Sequence, residues 1–157
     1  NFINSGFNLR PLEVSAAIAL SQLKRLKKMV QIRKYNRDKI VKSLKNSSKW
    51  ANQFSFFESS RYLRPSWFSI PLLINKNFLK NKKTYLKKLE KYKIETRPII
   101  SGNFINQPSV KLYKLKFNKK KFKNSQEIED RGFFIGLPTK KIKSKDLKRL
   151  TDCLLDI

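Results

Sequence analysis

Apolar residues recur at helical spacing along the first third of the chain. From Leu12 to Val30 they are separated by alternating steps of four and three residues, which places them on one face of an α-helix. The same spacing then passes through Arg33 and Arg37 before it returns to apolar positions. We predict one helix from Pro11 to about residue 44, roughly 50 Å long, whose two arginines meet carboxylates or solvent where the helix changes packing partners.

Downstream of this helix, short apolar runs alternate with amphipathic segments. The predicted strands are Ser66–Ile74, Lys93–Ile100 and Phe133–Leu137, and the predicted helices are Lys82–Tyr92, Ser109–Phe117, a short segment that stops at Gly132, and Ser144–Ile157. Pro71 predicts an edge strand or a bulge, and Ser144 is the expected cap of the last helix. The segment before Ser66 has no regular pattern, and Lys119–Lys123 is expected to be an exposed loop.

This alternation favours an α/β fold, a small sandwich with helices on one face of a short sheet. The first helix is longer than such a sandwich requires, so we interpret it as a strut that leads to something larger. The domain boundaries that follow are residues 1–46 for an interdomain loop and the strut helix, and residues 47–157 for a small α/β domain.

The composition excludes several kinds of chemistry. The 157 residues contain no histidine and one cysteine, Cys153, which excludes histidine-assisted nucleophilic catalysis, an internal disulfide and a thiolate or histidine metal site. A single free cysteine favours a reducing compartment, and we expect a cytoplasmic location. No segment has the pattern of a signal peptide or the ~20 apolar residues of a membrane span, so no membrane contact is expected.

The strongly basic composition leaves one alternative function open. The formal charge is +26, from 37 Lys and Arg against 11 Asp and Glu. A stand-alone RNA-binding module would use this charge together with an aromatic platform, for which Tyr62, Trp67 and Phe68 beside Arg61 and Arg64 are the candidates. However, the lysines are spread over every segment and accompany abundant Asn and Ile, as an AT-rich coding sequence would produce. Nucleic acid is therefore not the expected partner.

One stretch differs from its surroundings. Residues 95–109, "ETRPIISGNFINQPS", are poor in lysine and rich in turn-forming Pro, Gly and Asn. We interpret this stretch as a loop that meets a small molecule.

Four stretches, taken in order, resemble one known family. They are "SGFNLRPLEVSAAIALSQLKRL", "SWFSIPLLI", "IETRPIISGNFINQP" and "DRGFFIGLPT". Together they are similar to the DegT/DnrJ/StrS family of pyridoxal-phosphate sugar aminotransferases, over nearly the whole chain. The third stretch carries "SGNF" where ordinary sugar aminotransferases have a His-Tyr pair, and in this it resembles the nucleotide-sugar 3-dehydrase branch.

The resemblance implies that the chain is the C-terminal small domain of a fold-type I pyridoxal-phosphate enzyme. The large cofactor domain would lie upstream, where a lysine marks the aminotransferases and a histidine the dehydrases. The implied activity is transamination or C3 dehydration of nucleotide-linked keto-sugars, in deoxysugar, aminosugar and lipopolysaccharide biosynthesis. No catalytic residue is identified in this chain, so it is expected to be inactive alone.

The resemblance also implies a cofactor contact near the first helix. Asn8 would reach the cofactor phosphate of the neighbouring subunit, and Arg10 would support the same loop, so a homodimer is expected. An amide donor near a helix N-terminus suits a phosphate. The alternative is that Asn8 only shapes the turn and that Arg10 forms a surface ion pair.

For the substrate, the resemblance implicates four residues of the turn-rich loop. Arg97 would pair with a phosphate or a sugar hydroxyl through its planar fork. Gly102 would allow a tight turn or a close ligand approach, Asn103 would bind a hydroxyl, and Phe104 would pack on a ring.

A structural alternative stays open for the same loop. In it, Arg97 merely pairs with Glu95 or Asp130, and the loop has no ligand.

The strand Phe133–Leu137 is expected to belong to the core, because it is apolar on both faces. A third possibility is a structural remnant that binds nothing, which tight binding of a nucleotide-sugar would exclude.

Overall fold

A four-stranded antiparallel sheet with helices packed on one face forms the body of the domain. The computed structural model describes residues 12–79 and 81–157. In chain order the elements are α1 (Glu13–Lys45), β1 (Phe54–Phe56), β2 (Ser69–Ile74), α2 (Lys82–Lys91), β3 (Thr96–Arg97), α3 (Pro108–Leu112), α4 (Lys123–Arg131), β4 (Gly132–Gly136) and α5 (Ser144–Leu154). The predicted combination of a long helix and a small mixed domain is confirmed.

The core lies between the sheet and three helices. The strand order is β1-β2-β4-β3, and Leu72 of β2 is registered between Phe56 of β1 and Phe133 of β4. Alternate residues of β2 and β4 point into the core together with side chains from α1, α2 and α5, and the most deeply buried are Ile40, Leu44, Ile70, Leu72, Ile74, Leu89, Phe133, Ile135 and Leu154. The other sheet face, which carries Phe134, stays partly open.

The strand β1 lies in a segment that we predicted to be irregular, so that prediction is wrong. Its residue Phe54 is 3% exposed and packs edge-on against Phe133 of β4, with ring centroids 6.2 Å apart. Three residues are too few to establish a period of two in the sequence, and the strand is defined by its pairing with β2.

Pro71 does not mark an edge strand or a bulge. The strand that contains it, β2, lies inside the sheet, and Pro71 is registered against Phe134 of β4. On the opposite side, the ladder with β1 runs only from Leu72 to Ile74. A proline therefore costs no hydrogen bond with β1, because its missing N–H lies beyond the end of that ladder.

Several predicted boundaries also change. The strand predicted over Lys93–Ile100 is reduced to the two residues of β3. The run Lys119–Phe122 forms a turn of 3₁₀ helix that leads into α4 and not an open loop. Ser144 is the first residue of α5 and does not cap it, because the cap position is taken by Lys143 and carries no side-chain hydrogen bond.

Only the second half of α1 is packed against the domain. Ile40 and Leu44 are buried, whereas Leu12 and Leu23 of the same stripe are 69% and 62% exposed. With 33 residues, α1 is about 50 Å long, so its first half extends beyond the domain. In the described ranges, no helix is both long and apolar enough to span a membrane.

The prediction for Arg37 is confirmed at the point where α1 meets the domain. Its Nη2 donates to the carbonyl of Phe57 at 2.8 Å and lies 3.2 Å from the carboxylate of Glu58. Its guanidinium carbon is 4.8 Å from the ring centroid of Trp67. The arginine thus meets a carboxylate where the stripe changes from exposed to buried.

The turn that ends α2 allows a test of backbone strain. Lys93 has a φ of 60°, and the N–H of Ile94 closes the turn on the carbonyl of Leu89 at 3.0 Å. Glycine is the preferred residue at this position. We expect Lys93→Gly to raise the free energy of unfolding by about 0.5–1 kcal/mol, because the strain relieved exceeds the entropy added to the unfolded chain. The midpoint of urea unfolding measures this change.

The matched control is the same substitution two residues earlier. Lys91 is the last residue of α2, where glycine costs helix propensity without relieving strain. We expect Lys91→Gly to lower the free energy of unfolding by up to about 1 kcal/mol. If both variants were destabilised equally, strain at Lys93 would not contribute to stability.

Candidate functional site

The turn-rich loop follows β3 as two consecutive tight turns. The N–H of Gly102 donates to the carbonyl of Ile99 at 2.9 Å, and the N–H of Gln107 donates to the carbonyl of Phe104 at 3.0 Å. The Nε2 of Gln107 also donates to the carbonyl of Ser101, at 3.1 Å. These bonds give residues 99–107 a defined backbone that packs against α4.

Gly102 occupies a position that other residues fit poorly. Its φ is +64°, and a Cβ there would lie 2.9 Å from the Cβ and Cγ of Glu129 on α4. The nearby Ile100 also has a positive φ, 47°, which is rare for a β-branched residue, and its side chain is 88% exposed. Gly102 therefore forms the predicted tight turn, while its approach to a ligand stays a prediction.

Asn103 is buried in a network that fixes the direction of its side chain. Its backbone N–H donates to Glu129 Oε2 at 2.7 Å, and its Nδ2 donates to Gln126 Oε1 at 3.0 Å. The Nε2 of Gln126 in turn donates to the carboxylate of Asp130 at 2.8 Å, which fixes the orientation of the Gln126 amide. The Oδ1 of Asn103 is buried and has no hydrogen-bond partner in the described part of the chain.

Gly102, Asn103 and Phe104 line one cavity. Its volume is about 440 Å³, and residues of α3 and of the segment that follows supply its apolar walls, among them Val110 and Leu115. Phe104 is 57% exposed, so its ring is available for contact with a ligand. Three of the four residues predicted for the substrate are therefore brought together.

Arg97 lies apart from these three residues. It projects from β3 on the same side of the sheet as Phe134, its register partner in β4, and lines a separate cavity of about 450 Å³ with Phe68. Its Nε and Nη2 both donate to Glu95 Oε1, at 3.0 and 2.8 Å. This is one of the pairings of the structural alternative. Because both side chains are exposed, the pair is weak and a ligand phosphate can compete with it.

The two predicted cofactor residues, Asn8 and Arg10, lie outside the described residues. Among the described residues, Lys82 is a half-buried lysine that can be compared with a cofactor-binding lysine. Burial lowers the pKa of Lys82, while Asp130 and Glu129 act in the opposite direction. Its Nζ donates to the carbonyl of Glu129 at 2.5 Å, in a cleft also lined by Glu90. The cleft is lined by four carboxylates, of Glu90, Glu95, Glu129 and Asp130, against three lysines, Lys82, Lys83 and Lys87, so its balance of charge disfavours a phosphate.

The aromatic platform proposed for RNA is not formed as expected. Trp67 is 9% exposed and is covered by Phe57, at 6.0 Å between ring centroids, and by Arg37. Tyr62 and Phe68 are exposed, but the ring of Tyr62 is already stacked with Arg61. Trp67 is thus unavailable to stack on a base.

The residues that hold the loop were not found by sequence reasoning. Gln126 and Glu129 are spaced three apart on α4, which places them on one helix face beneath the loop. The sequence carries the spacing, but nothing in it indicates that this face binds residues 102–106.

Known proteins are similar to this chain over most of its length. A family model described as the DegT/DnrJ/EryC1/StrS aminotransferase family matches residues 2–155. The chain is 30% identical to a GDP-4-keto-6-deoxy-D-mannose 3-dehydratase of Escherichia coli over 135 residues, which are 86% of this chain and 33% of that enzyme. It is also 29% identical to the lipopolysaccharide biosynthesis protein RfbH of Salmonella typhimurium, over 84% of this chain and 29% of that protein.

A solved structure agrees with these relatives. The E. coli GDP-4-keto-6-deoxy-D-mannose 3-dehydratase with bound hydrated pyridoxal phosphate superimposes with a TM-score of 0.80 and 25% identity, covering 98% of this chain and 38% of that one. The chain thus spans about a third of the length of the curated relatives that it matches.

Proposed function

The chain belongs to the DegT/DnrJ/EryC1/StrS aminotransferase family, and from this membership we propose that it is the C-terminal small domain of a pyridoxal-phosphate enzyme acting on a nucleotide-linked keto-sugar. The reaction is C3 dehydration or transamination at a sugar carbon, in lipopolysaccharide biosynthesis. The observation that carries the proposal is the match over residues 2–155 to a family whose 3-dehydratase member shares this fold with pyridoxal phosphate bound.

In the proposed reaction, this chain binds and orients the substrate. Gly102 fixes the turn, which Glu129 supports from below, and the exposed ring of Phe104 packs against the ligand. Asn103, which Gln126 and Glu129 hold in place, is assigned to a sugar hydroxyl. Arg97 exchanges its exposed partner Glu95 for a phosphate oxygen or a sugar hydroxyl, since its fork suits bidentate contacts.

The cofactor is held mainly by residues outside this chain. When bound, pyridoxal phosphate supplies the electron sink for bond changes next to the sugar carbonyl. We assign Asn8 and Arg10 to its phosphate in a second copy of the enzyme, so the active form is a homodimer. The exposed apolar residues of α1, such as Leu12 and Leu23, support an interface along this helix. The location that we propose for the enzyme is the cytoplasm. The single cysteine of this chain, Cys153, is a free thiol, which is typical of a protein in a reducing compartment.

A chimeric enzyme tests this function. The upstream two thirds of the E. coli GDP-4-keto-6-deoxy-D-mannose 3-dehydratase are joined to residues 2–157 of this chain, in place of the segment that it matches. We expect measurable dehydration of GDP-4-keto-6-deoxy-D-mannose by the chimera. In the chimera, Arg97→Gln is expected to lower kcat/KM by about 10- to 100-fold, as for loss of a charge-assisted contact.

The matched control in the chimera is Arg61→Gln. Arg61 is also an exposed arginine, but it lies on the connection between β1 and β2 and lines neither the cavity of Arg97 nor that of Asn103. We expect this variant to keep its kcat/KM within about twofold, because isolated surface charges contribute little. A folded, cofactor-loaded chimera that neither dehydrates nor transaminates GDP-4-keto-6-deoxy-D-mannose would contradict the proposed function.

A further inference from the structure

The end of α3 and the residues that follow it present apolar side chains to solvent. Leu112 and Tyr113 are 74% and 71% exposed, and Leu115 is 53% exposed. The backbone beneath them is fixed, because the N–H groups of Tyr113, Lys114 and Leu115 donate to carbonyls of α3 at 2.9, 3.0 and 3.0 Å. The neighbouring Val110 is 4% exposed and anchors this turn. A defined turn therefore holds the three apolar side chains at the surface.

The same segment is strongly basic. Residues 111–123 contain seven lysines and no acidic residue. All seven lysines are exposed, and the described residues provide no ion-pair partner for any of them. The rings of Phe117 and Phe122 meet edge to face, with centroids 6.3 Å apart, and the 3₁₀ turn between them carries three of these lysines. The positive charge is thus concentrated on one compact segment.

One cavity joins the apolar and the basic side chains. Its volume is about 540 Å³. Among the residues that line it are Val110, Leu115, Phe117, Lys111, Lys114 and Lys119. The described residues of this lining include no carboxylate. Positive charge and apolar surface therefore lie side by side in segment 111–123 and not on separate faces.

A membrane that contains anionic lipid matches both features of this segment. Its headgroup phosphates attract lysines, and the boundary between headgroups and acyl chains accepts apolar and aromatic side chains. RNA also offers phosphates, but it has no apolar layer, and Leu112 and Leu115 cannot stack on bases as aromatic rings do. A merely solvated face would account for the lysines but not for the apolar residues among them.

We propose that segment 111–123 binds the surface of a membrane that contains anionic lipid. Leu112 and Tyr113 enter the headgroup region, while Lys111, Lys114 and Lys119 meet lipid phosphates. The expectation of no membrane contact concerns a span of ~20 apolar residues, which surface binding does not require. The proposal goes beyond the proposed function and does not depend on it.

Vesicle flotation tests the proposal with the 157-residue chain and with the chimera. The vesicles contain equal parts of phosphatidylglycerol and phosphatidylcholine, in about 0.15 M salt, where exposed charges more than roughly 8 Å apart are largely screened. We expect both proteins to bind these vesicles, and to bind vesicles of phosphatidylcholine alone at least about tenfold more weakly.

Two variants of the chain separate the apolar from the basic contribution. L112S/Y113S is expected to weaken binding to the anionic vesicles by about tenfold or more. K111S/K114N/K119S is expected to weaken it by at least about tenfold as well. Asparagine is chosen at position 114 because it tolerates the φ of 50° found there. All five altered side chains are exposed, so both variants are expected to keep the fold.

Each variant has a matched control in the same domain. Y62S/L63S removes another exposed Tyr-Leu pair, from the connection between β1 and β2. K140S/K145S/K148S removes three exposed lysines from α5 and the connection before it, so it changes the net charge by the same amount. Both controls should bind the anionic vesicles within about threefold of the unmodified chain, because the contact with the membrane is local.

Four results would each overturn the proposal. Equal losses in the two lysine variants would show that only the overall charge attracts the vesicles, and unchanged binding of L112S/Y113S would exclude insertion of the apolar residues. An RNA oligonucleotide that binds more tightly than the vesicles at equal phosphate concentration, and loses affinity in K111S/K114N/K119S, would assign the segment to RNA. A folded chimera that does not bind vesicles to which the chain binds would show that the cofactor domain covers the segment.

Discussion

Gly132→Ala is expected to lower the free energy of unfolding by about 2–3 kcal/mol, as for other overpacked positions. Gly132 joins α4 to β4, and a Cβ there would lie 2.4 Å from the carbonyl oxygen of Ile128. It would also lie 2.9 Å from Cδ1 of Ile99. The first of these atoms belongs to the backbone of α4, so relief requires a movement of the helix. Urea unfolding followed by circular dichroism measures the change.

Gly136→Ala is the matched control, because it makes the same change in the same strand. A Cβ at Gly136 would have nothing within 4 Å. We expect its free energy of unfolding to change by less than about 0.5 kcal/mol, with a small gain favoured by the reduced entropy of the unfolded chain. Equal losses in both variants would show that the contact with Ile128 is not the cause.

The effect of Gly132→Ala should extend to the candidate site. Ile99 begins the first turn of the loop, and Glu129, which follows Ile128 on α4, accepts the N–H of Asn103. A shift of α4 that relieves the clash therefore moves the residue that supports the loop. In the chimera we expect a lower kcat/KM for Gly132→Ala than for Gly136→Ala, measured at a temperature where both variants are folded.

The large-scale organisation of the domain follows from features that a single sequence displays. The stripe of α1 is long enough to show its helical period, and β2 and β4 stand out as continuous apolar runs, so the three elements lie close to where the sequence predicts them. The strand β1 was missed because its three residues gain their conformation from pairing with β2. Pro71 was misjudged because the position of a strand within a sheet depends on partners distant in the chain.

The candidate site was predictable in part, for a similar reason. The Gly of "SGNF" indicates a tight turn by itself, and the turn is there, with φ at +64°. The support by Gln126 and Glu129 depends on how α4 packs against the loop, which is a tertiary relation.

Asn36→Leu is expected to have the largest effect on stability, a loss of about 3–4 kcal/mol. Asn36 is fully buried on α1, where its Nδ2 donates to the carbonyls of Pro138 and Lys140 at 3.0 and 2.8 Å. Its Oδ1 accepts the N–H of Ile142 at 3.0 Å. Leucine has a similar size but would leave three backbone groups without partners, at about 1 kcal/mol or more each. Asn124→Leu, on the exposed side of α4, is the control and should cost less than about 0.5 kcal/mol.

The position of Asn36 makes this loss a test of how α1 is held. It ties the connection between β4 and α5 to α1 close to the place where the helix leaves the domain. Amide hydrogen exchange of Asn36→Leu should therefore show faster exchange at Ile142 while Leu72 and Phe133 in the sheet keep their protection relative to the global stability. Under the proposed function, α1 connects the small domain to the cofactor domain of the chimera, so we expect a lower kcat/KM even under conditions where the variant is fully folded. A variant that lost less than about 1 kcal/mol, with unchanged exchange at Ile142, would show that packing of Ile40 and Leu44 alone orients the helix.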